Sequence, residues 1–165
     1  MRLSDEEDYE WFFRSEYPRV LRTSFLILGD EEAARDVAQE AFVQLFRKWD
    51  KVSRYEVPEA WVRRVSIRMS VRALRRRRFN EHALSRIALP EPTRPWPDTD
   101  LMQAVSALPP AQRAAIVLFY FEDQPVSEIA QLMECSPSTV KVHLHKARKR
   151  LNKALVQEVG VDATR

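Results

Sequence analysis

Leu108–Leu151 reads LPPAQRAAIVLFYFEDQPVSEIAQLMECSPSTVKVHLHKARKRL, and its punctuation decides the fold. After Pro109-Pro110 a helix begins whose apolar residues, among them Ala114, Ile116, Val117, Phe119 and Tyr120, leave its buried face ambiguous. Pro125 starts a second helix that should bury Val126, Ile129, Ala130 and Met133. Ser136 is placed to cap a third, with Pro137 at its first position. There Val140, Leu144, Ala147 and Leu151 fall on one side, at steps of four, three and four. Ser138, Lys141, Val142, His145 and Lys149 fall on the other. Two helices joined by a short turn, the second basic on its outer face, have the layout of a helix-turn-helix, whose second helix enters the DNA major groove. Ser138, Thr139, Lys141, Val142, His145 and Lys146 are its candidate DNA-binding residues. Lysine reaches phosphates or guanine, and Val142 suits a thymine methyl. His143 and His145 are two apart and diverge on a helix, so they make a poor metal pair.

Outward from this stretch the chain divides. Pro90, Pro92, Pro95 and Pro97 interrupt a segment without apolar periodicity, which reads as a linker. Only Gly29 and Gly160 are glycine, so phosphate-cradling loops of the P-loop or Rossmann kind are excluded. No stretch alternates as a strand would, and the chain is expected to be all-α, with two small helical domains. Cys135 is the sole cysteine, which excludes an internal disulfide and a cysteine zinc cage. The longest apolar run, Ile116–Phe121, is too short to cross a bilayer. Met1 leads into an acidic segment with no signal-peptide pattern, and a cytoplasmic location is expected. Paired acids in an apolar setting, a nucleophile beside a base and metal-ligand spacing are all missing. Neither enzymatic activity nor a metal or cofactor is expected.

The net charge of +3 says less than its distribution. Acids outnumber bases in residues 1–59, whereas Arg63, Arg64, Arg68, Arg72 and Arg75–Arg78 follow with no acid among them. A second basic block spans 135–157, again without acids. Two such blocks point to two contacts with a polyanion.

In the first half Ser4–Glu7 fits a capping box, and an apolar stripe runs from Tyr9 to Leu28, with a kink expected at Pro18. Gly29 ends that helix and Asp30 suits the next N-cap. The second helix should bury Ala33, Ala34, Val37, Ala38, Ala41, Phe42, Leu45, Phe46 and Trp49. Asp36, Gln39, Glu40 and Val43 lie together on its other face, where an exposed valine hints at a partner. After a loop over Lys51–Val57, Pro58 opens a third helix. Arg64, Arg68, Arg72 and Arg75 run along it between apolar faces, suited to DNA phosphates.

In order, RTSFLILGDEEAARDVAQEAFVQLFRKWDKV (Arg22–Val52), PEAWVRRV (Pro58–Val65) with its arginine run, Leu108–Asp123 and Ser127–Leu151 resemble a bacterial RNA polymerase sigma factor of the extracytoplasmic-function class, nearest its actinobacterial SigE-like group. The resemblance covers about residues 5–155. It implies sigma domain 2 over 1–80, a linker over 81–97, sigma domain 4 over 98–155 and a tail over 156–165. It implies that the Asp36–Val43 face docks on the β′ clamp helices of core polymerase. The arginine helix and the loop before it would capture and melt the −10 element of promoter DNA. The helix-turn-helix would read the −35 element beside the β flap. An anti-sigma factor is a common partner in the family, and no membrane insertion is implied. Three positions depart from the family pattern. Arg68 and Arg72 stand where many members carry Asn and Asp, and Glu134 stands where the turn usually has Gly. A left-handed backbone costs Glu more than Gly, so this turn is expected to be distorted or weakened. The alternative is a LuxR-type regulator that binds DNA without being a polymerase subunit. It predicts an upstream receiver or sensory domain, and the alternating elements of a receiver are not found.

Overall fold

A computed structural model of the chain describes residues 3–83 and 99–162, and every regular element among them is helical, as expected. The chain separates into two compact units between Leu89 and Pro90. The expected linker falls almost wholly outside the described residues.

The first unit contains α1 (Leu3–Leu28), α2 (Glu31–Arg47), α3 (Trp49–Val52) and α4 (Pro58–Ala83). α1 begins at Leu3, so Ser4 lies in its first turn rather than ahead of it, and the helix continues through Pro18. Gly29, at φ 66°, stops it in a left-handed conformation open to glycine. Asp30 then caps α2, its Oδ1 accepting the Ala33 N–H at 2.9 Å. α1, α2 and α4 pack against one another around Phe12, Val20, Phe42, Leu45, Trp49 and Val62. The rings interlock edge to face, Phe13 with Phe42 at 4.9 Å and Tyr9 with Trp49 at 5.3 Å between centroids. Truncating a buried ring such as Phe42 would cost about 3–5 kcal/mol. Tyr9 also donates its hydroxyl to the Phe42 carbonyl at 2.9 Å, tying α1 to α2. Burial pushes its phenol above the ordinary 10.0.

α4 turns Val62, Ser66, Ile67, Ser70, Val71 and Leu74 inward. Near its end the Arg77 guanidinium donates to the Leu28 carbonyl at 3.4 Å and pairs with Asp30 Oδ2 at 3.1 Å. One member of the arginine run therefore fastens α4 to the α1–α2 junction. The pair is partly solvated, so its contribution is at most about 1 kcal/mol.

The second unit contains α5 (Asp100–Ser106), α6 (Pro110–Ile116), α7 (Val126–Met133) and α8 (Pro137–Asp162). Thr99 caps α5, accepting the Met102 N–H at 3.3 Å. α8 is the central element, and α5, α6 and α7 all pack on it. Its Val140, Leu144 and Ala147 meet a core that includes Val105, Ile116, Leu118 and Ile129. α6 continues into a π-helical turn, Val117–Phe121, where the Glu122 N–H reaches back five residues to the Val117 carbonyl at 3.2 Å.

Several expectations need correction. Phe46 is 47% exposed rather than buried: Phe42 and Leu45 take the core positions, and Phe46 lies edge to face on the Tyr9 ring. Val126 is half-buried rather than buried, and within the segment whose face was ambiguous Tyr120 is exposed. The stretch before Pro58 contains the short α3 rather than loop alone from Lys51.

Candidate nucleic-acid interface

Three surfaces carry the predicted site residues. On α2 the buried stripe Ala34, Val37, Ala38, Ala41, Phe42 and Leu45 points at α1 and α4, which turns Asp36, Gln39, Glu40 and Val43 to solvent together. Glu40 accepts a hydrogen bond from Gln44 Nε2 at 3.2 Å. Val43 is 42% exposed, and Phe46 follows it by three residues on adjoining surface. Phe46 thus widens the apolar part of this face. The three-residue step from Val43 is the sequence signal for it, obscured by the competing four-residue step from Phe42.

On α4 the four arginines Arg64, Arg68, Arg72 and Arg75 are all exposed, opposite the inward-facing Val62–Leu74 series. Steps of four, four and three keep them within one stripe, about 16 Å long at the usual rise. The turn that leads into α4 exposes Tyr55 and Val57. Only chain order pointed to this turn, since its side chains show no periodicity.

On α8 the exposed side carries Ser138, Lys141, Val142, His145 and Lys146. Thr139 is different: it is half-buried, its N–H donates to Ser136 Oγ at 3.1 Å, and its hydroxyl lies 2.9 Å from the same oxygen. That hydroxyl serves the helix cap, leaving the other five to the outward face. The α7–α8 turn is regular. Glu134 sits at φ 51°, ψ 46°, and its N–H and that of Cys135 close back on Gln131 and Ala130. The expected distortion is therefore absent, and the backbone keeps the left-handed geometry despite the side chain.

The four arginines of α4 and the lysines of α8 thus form two basic surfaces, each backed by a packed core. Either has the composition of a phosphate contact, and α8 also has the short polar and apolar side chains that read base edges. Among the described residues no cluster of His, Cys, Asp or Glu could hold a metal ion, and no helix is long and apolar enough to cross a membrane.

Comparison with known proteins accounts for both units. The model for Sigma-70 region 2 matches residues 12–80, and that for Sigma-70 region 4 matches 98–151. The RNA polymerase sigma-H factor of Pseudomonas aeruginosa is 30% identical over 161 residues, spanning 82% of this chain and 83% of its own. The RNA polymerase sigma-E factor of Streptomyces avermitilis is 29% identical over 152 residues, spanning 90% and 85%. Among solved structures, the sigma factor RpoE in complex with the anti-sigma factor NepR from Bartonella quintana matches with a TM-score of 0.64. It is 19% identical and covers 90% of this chain and 97% of that one, a likeness of fold. A LuxR-type regulator would leave the match in the first unit without explanation, and that alternative is not supported. With region 2 in its first unit, region 4 in its second and relatives along nearly its whole length, the chain belongs to the sigma-70 family of RNA polymerase sigma factors, in its extracytoplasmic-function branch.

Proposed function

We propose that this sigma factor divides its work among the three surfaces. The α2 face of Asp36, Gln39, Glu40 and Val43, enlarged by Phe46, binds the β′ clamp helices of core RNA polymerase. An apolar centre with acidic neighbours suits a partner that presents both basic and apolar side chains. Arg64, Arg68, Arg72 and Arg75 hold promoter DNA at the −10 element through phosphates, and Tyr55 offers a ring on which an unpaired base could stack. Ser138, Lys141, Val142, His145 and Lys146 read the −35 element, with Thr139 setting the start of the helix and neighbouring surface meeting the β flap. The observation that carries this reading is the pair of exposed basic helical faces, one in each unit, each opposite its own buried stripe.

The protein acts without catalysis and without a cofactor, in the cytoplasm where its polymerase and promoter are. Domain 2 occupies 1–80 and domain 4 occupies 98–155, with 81–97 as the connection. Because the RpoE relative was solved with an anti-sigma factor, a partner of that kind is proposed here as well.

In vitro transcription with core polymerase on a randomised promoter library tests the reading. Transcripts should start downstream of one recurring pair of elements, and the chain should bind core polymerase without DNA. Random initiation, or DNA binding with no affinity for core polymerase, would refute it.

A further inference from the structure

Arg148 of α8 is held against aromatic rings. The Arg148 Nε–H donates to the Tyr120 hydroxyl at 2.8 Å. Its guanidinium carbon lies 5.4 Å from the centre of the Phe119 ring and 5.6 Å from that of Tyr120. Those rings meet edge to face at 4.9 Å. Both belong to the π-helical turn, which brings two consecutive aromatic side chains to one arginine. Tyr120 is 54% exposed, a poor use of a large ring unless it serves as a platform.

Arg148 follows Lys141 by seven residues and His145 by three, so the three share one stripe of α8, about 10 Å from end to end. A guanidinium has five N–H donors, and Tyr120 accepts only the one on Nε. The four donors on the two Nη atoms have no hydrogen-bond partner among the described residues. A planar fork, already stacked and bonded on one side and exposed on the other, gives up little further freedom when it grips an anion.

We propose that Arg148 is a pre-set phosphate anchor, gripping a phosphodiester of promoter DNA through its Nη groups at the end of the Lys141–His145 stripe, and that Tyr120 is its positioning residue. This rests on the −35 reading of α8. A backbone contact fixes the register of α8 on the duplex and adds no base preference of its own.

The test is binding of a promoter fragment by holoenzyme, reconstituted from the full chain and core polymerase, over a salt series. Arg148→Ala should weaken binding about tenfold and make the plot of log K against log salt shallower by about 0.9. Arg148→Lys should restore the slope while binding several-fold more weakly, because an ammonium has no fork. Tyr120→Phe keeps the charge, so it should leave the slope at the wild-type value and weaken binding by about two- to fivefold. If Arg148→Ala retains the wild-type slope, and its affinity falls only in step with its melting temperature, Arg148 is a brace and the proposal is overturned. If Arg148→Ala does not fold, Arg148→Gln, which removes the charge but keeps the aliphatic stem and a polar end, supplies the same slope. Lys141→Ala distinguishes failure of the anchor from failure of the −35 reading. A shallower slope for Lys141→Ala alone overturns the Arg148 anchor and keeps the −35 reading. A wild-type holoenzyme that leaves the −35 region unprotected overturns both.

Discussion

Replacing Glu134 by Gly should stabilise the second unit. Glu134 holds φ 51° and ψ 46°, the left-handed conformation in which the Cβ of an L-residue crowds the following carbonyl. That crowding costs about 1–2 kcal/mol. Glycine escapes it but loses more backbone freedom on folding, which returns about 0.5–1 kcal/mol. The net expectation is a gain of about 0.5–1 kcal/mol. For a unit of this size such a gain raises the melting temperature by about 2–8 °C. The closing bonds from Glu134 to Gln131 at 3.3 Å and from Cys135 to Ala130 at 3.0 Å need the backbone where it is, and glycine retains them. Calorimetry of the full chain, with hydrogen exchange of the α7 and α8 amides to assign the transition, measures the change. Glu134→Gln controls for the charge and should gain little. Glu134→Val should lose stability, since a β-branched residue is still less tolerant of this region. A glycine variant no more stable than wild type, or a valine variant equal to the glutamine, would refute the reasoning from backbone strain.

The other expectations concern the first unit. Asp36→Arg and Phe46→Ala should each weaken the binding of core polymerase at least several-fold while leaving helicity unchanged; unaltered affinity in a titration against labelled core would remove α2 from the interface. Arg68→Ala combined with Arg72→Ala should lower open-complex formation and flatten the salt dependence of promoter binding by about 0.7–0.9 for each phosphate no longer neutralised. Wild-type slope and melting yield would reassign the −10 contact to the turn before Pro58. Tyr9 sets an alkaline limit. Its folded phenol titrates above the 10.0 of the free side chain because burial opposes the phenolate. The unfolded chain therefore releases that proton first, and the stability Tyr9 contributes is complete below pH 10.0 and lost as pH rises through the folded pKa. Guanidinium midpoints followed by tryptophan fluorescence should fall above about pH 10 in wild type and fall less steeply in Tyr9→Phe; parallel curves would show that another group controls the alkaline limb.

Much of this fold was legible because its helices are punctuated by residues with one physical meaning each. Gly29 supplies a positive φ, Asp30 a cap, Pro58 and Pro137 first-turn positions, and Ser136 a second cap. Between those marks the three- and four-residue spacing placed Phe42, Leu45, Val140 and Leu144 inside. Spacing loses its meaning where apolar residues surround the helix. Over Val117–Phe121 every residue is apolar, so no periodicity selects a face, and neither the π turn nor the exposure of Tyr120 follows from it. Phe46 misled for a related reason: it continues the four-residue series from Phe42, but the buried cluster is completed by Leu45 and by Trp49 and Val52 of the short α3, without Phe46.

The site residues were legible to the same degree as the faces that carry them, and for the same reason. Asp36, Gln39, Glu40 and Val43 are exposed because α2 spends its opposite side on α1 and α4, and a face is known once its reverse is known. Exposure is silent about what a side chain is bonded to. Thr139 belongs to the recognition helix by position, yet its hydroxyl serves the cap. Arg77 belongs to the basic run by composition, yet it joins Leu28 and Asp30. Both are pairings set by tertiary geometry, and the partners of Arg77, in particular, lie nearly fifty residues away, beyond the reach of helical spacing. Arg148 combines the two cases. Spacing puts it in line with Lys141 and His145, and only the fold adds the Tyr120 hydroxyl, which turns one more surface cation into an arginine with a fixed direction.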